Sequence, residues 1–487
     1  MKMPGKEKVT MADLPIITLT GAAAALGEAV VERFESRLRG QLLRPGDAGY
    51  EEARLIWNGV IDKRPALIAR CAGVGDVIDS VNFARENDLL LAVRGGGHNV
   101  AGNAVCDGGL VIDLSPMKGI RVDPERRTAR AEAGATLGDL DRETQVFGLA
   151  TPLGVVTKTG IAGLTLGGGI GWLRRKHSLS SDNLVSVDVV TADGRFLTAS
   201  EEENEDLFWG IRGGGGNFGV VTSFEYRLHP VGPEVTFCFV LYPGDRAKEV
   251  LQACKEYMAE APDEVSPVGV LGRVPHDPLF PEEWHGEQYV ALLAMHPGEV
   301  EEGERTLKPL RELGGPIVDL SARMPYTEAQ AILDEDYPDG WRYYWKSVNV
   351  DGLGDEVIER LVDHAQAAPS HHSTIDVWYQ GGVMGRVGAG ETAFGDRSAP
   401  ILLGVEANWE EKPQDDEANI AWVRNCVADM RQFSSGGMYL NFPGFLEEGD
   451  QMLHDAYGEN YERMVALKNQ YDPTNLFRLN QNIKPTV

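Results

Sequence analysis

The rhythm of apolar and polar positions along the chain changes near residue 230. Before that point, short aliphatic and β-branched runs over Leu89 to Val93, Leu110 to Leu114, Val185 to Thr191 and Val220 to Tyr226 predict strands. Val77 to Asn87 repeats its apolar residues at helical spacing, so strands and helices are mixed from the outset. After Pro230-Val-Gly-Pro233 the pattern predicts longer strands over Thr236 to Tyr242 and Gln288 to Met295, alternating with helices over Ala247 to Glu260 and Gly354 to Ala367. The final stretch reads as a helix over Asn460 to Asn469, stopped by the Asp-Pro turn within Tyr471 to Asn475. Near the start, Thr20 ahead of Ala22 to Ala25 and Glu28 predicts a capped helix. That reading is preferred to a signal segment, although Leu14 to Gly27 is an uncharged stretch behind Lys2, Lys6 and Lys8. The class is α+β.

Composition narrows the function. Lys plus Arg number 46 against 74 Asp plus Glu, a net charge of −28 that repels nucleic-acid backbones and anionic membrane surfaces. No apolar run approaches the ~20 residues a bilayer requires, so a cytoplasmic globular protein with no membrane partner is expected. The five cysteines (Cys71, Cys106, Cys238, Cys254, Cys426) are scattered and never form a Cys-x-x-Cys pair, which argues against disulfides or zinc. His371-His372 has no third ligand at helical or hairpin spacing, so no metal is assigned.

Glycine is the anomaly. The chain has 57, above the average usage of ~7%, and three clusters fall in the first half: Arg94-Gly-Gly-Gly-His98, Gly167-Gly-Gly-Ile-Gly171 and Gly213-Gly-Gly-Gly-Asn-Phe-Gly219. A turn without Cβ atoms lets successive backbone N–H groups converge on an anion, so three such turns between strands suggest a dinucleotide pyrophosphate; a tight turn packed on a strand is the plain alternative for any one of them. Neither a Rossmann fingerprint nor a Walker loop is present. His98, directly after three glycines, sits on backbone thin enough to approach a ligand, where an imidazole can serve as nucleophile or base.

These motifs carry a family resemblance. Arg94 to Gly102, Gly108-Gly-Leu-Val-Ile-Asp-Leu114, Ala133-Gly-Ala135, Gly163 to Trp172 and Gly213 to Gly219 followed by Val221 resemble the FAD-linked oxidases of the vanillyl-alcohol-oxidase type. Tyr439-Leu-Asn441, Tyr457-Gly-Glu-Asn460 and Tyr471 to Arg478, continuing to Asn482, are similar to the berberine bridge enzyme-like branch, and the match runs from about Pro45 to the end. The resemblance implies a two-subdomain FAD-binding domain over 1–230 with its core at about 60–230. It also implies a substrate domain over 231–438, an antiparallel sheet flanked by helices, and a C-terminal segment, 439–487, returning to the FAD domain.

The resemblance further implies FAD attached covalently through His98, whose ring would bond the 8α-methyl of the isoalloxazine. A second, cysteinyl bond is not expected, because the corresponding place near Val155-Val156 holds no cysteine; Cys106 is the only tempting substitute. Arg94, Gly95, Gly96, Gly97 and Asn99 are expected around the pyrophosphate. Gly160, Gly163, Thr165, Gly168, Gly169 and Gly171 are expected along the ribityl and adenosine side, with Val221, Asn480 and Asn482 also on the cofactor. Leu164 stands where plant members often carry a histidine, and Thr159 is the residue expected beside the flavin C4a.

Tyr439 matches the position the family uses for a catalytic base, a task for which a phenol needs a nearby cation or stabilising hydrogen bonds; a strand tyrosine with only a packing role is the alternative. Gln380, Tyr344 and Lys346 resemble substrate-facing positions, and Asn441 an anchor for the strand or the flavin edge. The expected activity is oxidation of the CH–OH group of a sugar, aromatic alcohol or natural product, with O2 as acceptor giving hydrogen peroxide. The alternatives are a dehydrogenase using another acceptor and a flavin-fold protein without turnover. Partners are then a small-molecule substrate and O2, in a monomer or homodimer.

Overall fold

A computed structural model describes residues 13–410, 412–446 and 449–487. Lys2, Lys6 and Lys8 lie outside the described residues. Helices and sheets are mixed throughout, and the fold is α+β.

Three sheets organise the chain. The first has four strands in the order Gln41–Leu43, Leu67–Arg70, Leu110–Asp113, Leu91–Arg94, and its last three strands run parallel. The helix Val74–Glu86 carries the chain from Leu67–Arg70 to Leu91–Arg94, on either side of Leu110–Asp113, and buries Val77, Val81 and Ala84 in the core beside the sheet. The second sheet is antiparallel, with five strands in the order Phe196–Ser200, Leu184–Val190, Val220–Arg227, Thr128–Glu132, Ile120–Asp123. These two sheets share one apolar core.

The third sheet has eight strands and draws all of them from Glu234–Pro243 to Ile401–Trp409. Its strands are nearly continuous runs of buried residues, because both faces are covered. One face packs under the helices Ala247–Met258, Val300–Arg311, Asp355–Gln366 and Asp416–Met430. The other face turns toward the glycine-rich half, where Trp172, Phe237, Trp378 and Tyr439 share a cluster.

Two sequence expectations are corrected. Residues 14–26 form a hairpin, Leu14–Ile17 paired with Ala23–Leu26, and the helix begins only at Glu28 with Gly27 as its cap. Four consecutive alanine-rich positions carry helix propensity, but the turn at Gly21, with φ 81, lets the strand pairing win. Met438 to Pro443, which alternates like a strand, is irregular apart from an isolated bridge between Lys346 and Pro443.

The C-terminal helix Tyr461–Tyr471 is fastened to the glycine-rich half through the buried Lys468, which also forms an ion pair with Asp472. Lys468 Nζ donates to Asp472 Oδ2 at 2.7 Å and to the carbonyl oxygens of Asn217 and Phe477, both at 3.0 Å. Asp472 in turn accepts the backbone N–H groups of Leu476 and Phe477. Among the described residues no helix is long and apolar enough to cross a membrane. Replacing Lys468 by Met leaves a carboxylate buried without its cation, so the urea midpoint of unfolding should fall by the equivalent of ~3–5 kcal/mol with an unchanged m-value.

Candidate active site

Backbone contact between two glycines builds the floor of the site. The strand Leu91–Arg94 ends at the Gly95 to Gly97 turn, and Gly160 precedes the short helix Ile161–Leu166. A Cβ on Gly96 would lie 2.5 Å from the N and Cα of Gly160, and a Cβ on Gly160 only 2.4 Å from the N of Gly96. Only glycine at both positions allows this approach. Gly163, by contrast, meets nothing within 4 Å, so its Cα faces open space.

That space is a cleft between the glycine turns and the large sheet, with about 1790 Å³ free of protein atoms, part of it open to solvent. Gly95, Gly96, Gly97, His98 and Asn99 line it from one turn, and Gly160, Gly163 and Thr159 from the next. Val221, Asn480 and Tyr439 also line it. Gly215 and Gly216 of the third glycine cluster join them, as do Leu164, Asn441 and Gln481.

Other expected residues point elsewhere, and each is a correction. Leu91 and Val93 face the cleft, so strand alternation turns Arg94 outward, where Nη1 donates to the Ala53 carbonyl oxygen at 2.5 Å. Thr165 is buried on the far side of its helix, its hydroxyl 2.8 Å from that of Tyr226. Gly168 and Gly169, with φ 111 and 86, pack on Phe394 and Ser180, and Gly171 presses on the Leu153 carbonyl oxygen. From that loop only Gly167 and Ile170 reach the cleft. Asn482 is not among the lining residues, unlike its neighbours Asn480 and Gln481.

The sheet side holds further corrections. On the strand Arg342–Val350, Tyr343 and Trp345 face the glycine-rich half. Alternation therefore sends Tyr344 and Lys346 to the opposite face, Tyr344 into the helix-covered core against Phe445. Gln380 lines an adjoining cavity, where its amide donates to Asn349 Oδ1 at 3.2 Å. Tyr439 borders both spaces.

His98 is held by an aromatic stack across the two halves. Its ring lies 4.2 Å from that of Trp57, which in turn stacks on Tyr343 at 3.7 Å. His98 Nε2 is buried without a hydrogen-bond partner, and burial pulls the imidazole pKa down to about 4. The ring is thus neutral at pH 7, the state in which an imidazole nitrogen can be alkylated. With the open Gly163 and the glycine turns, this orphaned nitrogen fits an FAD bound along the cleft. Val155 and Val156 line the cleft, whereas no cysteine does. Cys106 is buried under the strands, its thiol pushed up to about 12 by burial.

Tyr439 is fixed at both ends. Its N–H donates to Ser347 Oγ at 2.9 Å, and its carbonyl oxygen accepts from the same hydroxyl at 3.1 Å. The phenol oxygen accepts two hydrogen bonds, from Asn441 Nδ2 at 2.8 Å and from the Ile170 N–H at 3.2 Å. Burial raises the phenol pKa, and those two bonds oppose it. The cation expected beside it is absent: among the described residues that line the cleft, none is Lys or Arg.

Carboxyls stand on the sheet wall instead, and the sequence reading missed them. Asp376 and Glu406 lie on paired strands with Gly404 opposite Asp376, and the missing side chain of Gly404 leaves room for both. Tyr337 donates its hydroxyl to Glu406 Oε2 at 2.9 Å. Burial pushes Asp376 up to about 7 and raises Glu406 well above the usual carboxylate range. Asp376 gave no sequence signal beyond its place in an apolar strand, since a lone acid in such a run reads as an edge or an exception.

Comparison with known proteins agrees with this geometry. The family description "FAD binding domain" matches residues 65–200, and "Berberine and berberine like" matches residues 438–484. An FAD-linked oxidoreductase of Dictyostelium discoideum is 33% identical over 461 residues, covering 94% of this chain and 97% of that protein. The (R)-6-hydroxynicotine oxidase of Paenarthrobacter nicotinovorans is 31% identical over 460 residues, covering 92% and 97%. The crystal structure of 6-hydroxy-D-nicotine oxidase from Arthrobacter nicotinovorans superposes with a TM-score of 0.80 at 30% identity, covering 92% of this chain and 98% of the other. With relatives of this identity matched over nearly their whole length, the chain belongs to the berberine bridge enzyme-like family of FAD-linked oxidoreductases.

Proposed function

We propose that this FAD-linked oxidase removes a hydride from the CH–OH carbon of a small-molecule alcohol, with Tyr439 as base and His98 as the single covalent tether of the cofactor. The observation that carries the reading is the environment of the Tyr439 phenol oxygen, buried at the cleft with two N–H donors already aimed at it. Those donors would stabilise the phenolate that a base requires and would relax little when the substrate proton arrives. Asn441 is then a positioning residue, because its amide also donates to the Leu164 carbonyl oxygen and so holds Tyr439 against the glycine-rich half.

FAD, when bound, supplies the hydride acceptor and passes the electron pair to dioxygen with release of hydrogen peroxide. Gly95 to Asn99 and Gly160 to Gly163 would hold the pyrophosphate and ribityl chain, and Val221, Gly215, Gly216 and Asn480 the remainder. Trp345, Trp378 and Phe442 would exclude water from the reacting carbon. The division into a cofactor unit at 1–230, a substrate unit at 231–438 and a returning segment at 439–487 belongs to the same reading. It is supported by the hydrogen bonds that join Lys468 and the Gln481 carbonyl oxygen to Asn217.

His98→Ala should yield a yellow protein whose colour passes into the supernatant on acid precipitation, whereas the parent retains it in the pellet. Tyr439→Phe should keep the bound colour and slow anaerobic flavin reduction by ~10²–10⁴; an unchanged rate would move the base elsewhere. Because burial raises the Tyr439 pKa and the base acts deprotonated, the reduction rate should climb with pH from neutral into the alkaline range. That slope should vanish in Tyr439→Phe. Reduced enzyme mixed with aerated buffer in a stopped flow should regain its oxidised spectrum and form one peroxide per flavin; failure to do so assigns a different acceptor.

A further inference from the structure

The sheet wall of the cleft is built from five side chains on three neighbouring strands: Trp345, Asp376, Trp378, Leu402 and Glu406. Two carboxyls between indoles are an unusual lining for an apolar cleft, since a buried ionised carboxylate is stable only with a compensating charge or several hydrogen bonds. Glu406 has one such bond, from the Tyr337 hydroxyl. Asp376 is 6% exposed, and its buried Oδ1 accepts no hydrogen bond, with Thr374 and Asp336 as its polar neighbours.

Burial holds both acids toward the protonated form in the empty cleft, and the chain offers no cation from the cleft side that would ionise them. None of the described lining residues is Lys or Arg. The buried Arg174 lies over the Trp378 ring, its guanidinium 5.1 Å from the ring centre. Its N–H groups are taken by the carbonyl oxygens of Tyr379 and Pro267. A divalent metal is not the answer either, because among the described residues no third His, Cys, Asp or Glu joins the pair.

We infer that Asp376 and Glu406 form a subsite for an ammonium group of the substrate, so that the alcohol oxidised here carries a protonated amine. The inference rests on the reading of this cleft as the substrate cleft of an FAD-linked oxidase. Glu406 folds over Gly404, whose missing Cβ would meet Glu406 Oε1 at 3.3 Å and the Asp376 Cβ at 3.6 Å. The two side chains therefore flank the same space over Gly404, where an ammonium could donate to both. The flanking indoles and the Tyr337 ring add aromatic faces of the kind that favour a cation. A hydroxyl of a neutral substrate can donate to one of these carboxyls, whereas an ammonium can donate to both and also balances their charge.

The test is equilibrium binding to the anaerobic holoenzyme at pH 7.5, read from the flavin absorbance difference spectrum. The probes are 2-phenylethylammonium and its neutral isostere n-propylbenzene. The ammonium should bind at least ~10-fold more tightly to the parent protein. Asp376→Asn and Glu406→Gln should each erase most of that preference while keeping the flavin spectrum. Equal affinities, no binding of the ammonium, or a preference that survives in both folded variants would overturn the subsite. If a variant does not fold, the comparison on the parent protein decides alone. An unchanged rate in Tyr439→Phe would remove the assigned base and leave this result standing, so the two readings fail separately.

Discussion

The cleft depends on one steric fact, the direct contact of backbone at Gly96 with backbone at Gly160. Any side chain at either position would force the two turns apart by a distance comparable to a methyl group. The turn after Leu91–Arg94 and the N-terminus of Ile161–Leu166 would then no longer form a single concave surface of N–H groups. Nearby glycines serve a different end. Gly168, Gly169 and Gly171 let the following loop pack tightly on Phe394, Ser180 and Leu153, and that packing carries Ile170 to the phenol of Tyr439.

The glycine-rich half and the large sheet are joined by contacts that buried polar groups make specific. The stack of His98, Trp57 and Tyr343 crosses the boundary, and Asn58 sits beside it with its amide shared between the carbonyl oxygens of Val100 and Tyr343. Arg174 performs a similar task at the other end, where a fully buried guanidinium gathers carbonyl oxygens from Gly171, Pro267 and Tyr379. Burial lowers its pKa to about 9, still high enough to keep it charged at neutral pH. Removing such a group would leave several carbonyls unpaired, so the relative position of the two walls is tightly defined.

The electrostatics of the cleft run opposite to the simplest expectation for a tyrosine base. The phenol of Tyr439 has N–H dipoles in place of a cation, and the ionisable groups facing the cleft are acids on the sheet that burial holds toward the protonated form. Neutral dipoles fixed by the fold cost less to bury than a lysine would, and they leave the net charge of the cleft to be set by what binds. The distribution also keeps the His98 imidazole neutral, because nothing acidic stands within hydrogen-bond reach of its buried nitrogen.

The α+β class, the flavin and the family were legible in the sequence because glycine clusters and their flanking strands are local features. A turn that must have no Cβ announces itself in composition, and Tyr439 and His98 stand in contiguous motifs. Which way a side chain faces was legible only where alternation had a fixed phase. Arg94, Thr165, Tyr344 and Lys346 carried suitable chemistry, yet the pleat and the helix turn aim them away from the cleft. The acids opposite the glycines were illegible because Asp376 and Glu406 are thirty residues apart and meet only through strand pairing across Gly404. The sequence by itself determined where backbone could come close to a ligand, a matter of missing atoms at known positions. Tertiary structure alone decided which charges would face that ligand, since register and packing between distant strands choose one face of each strand for the cleft.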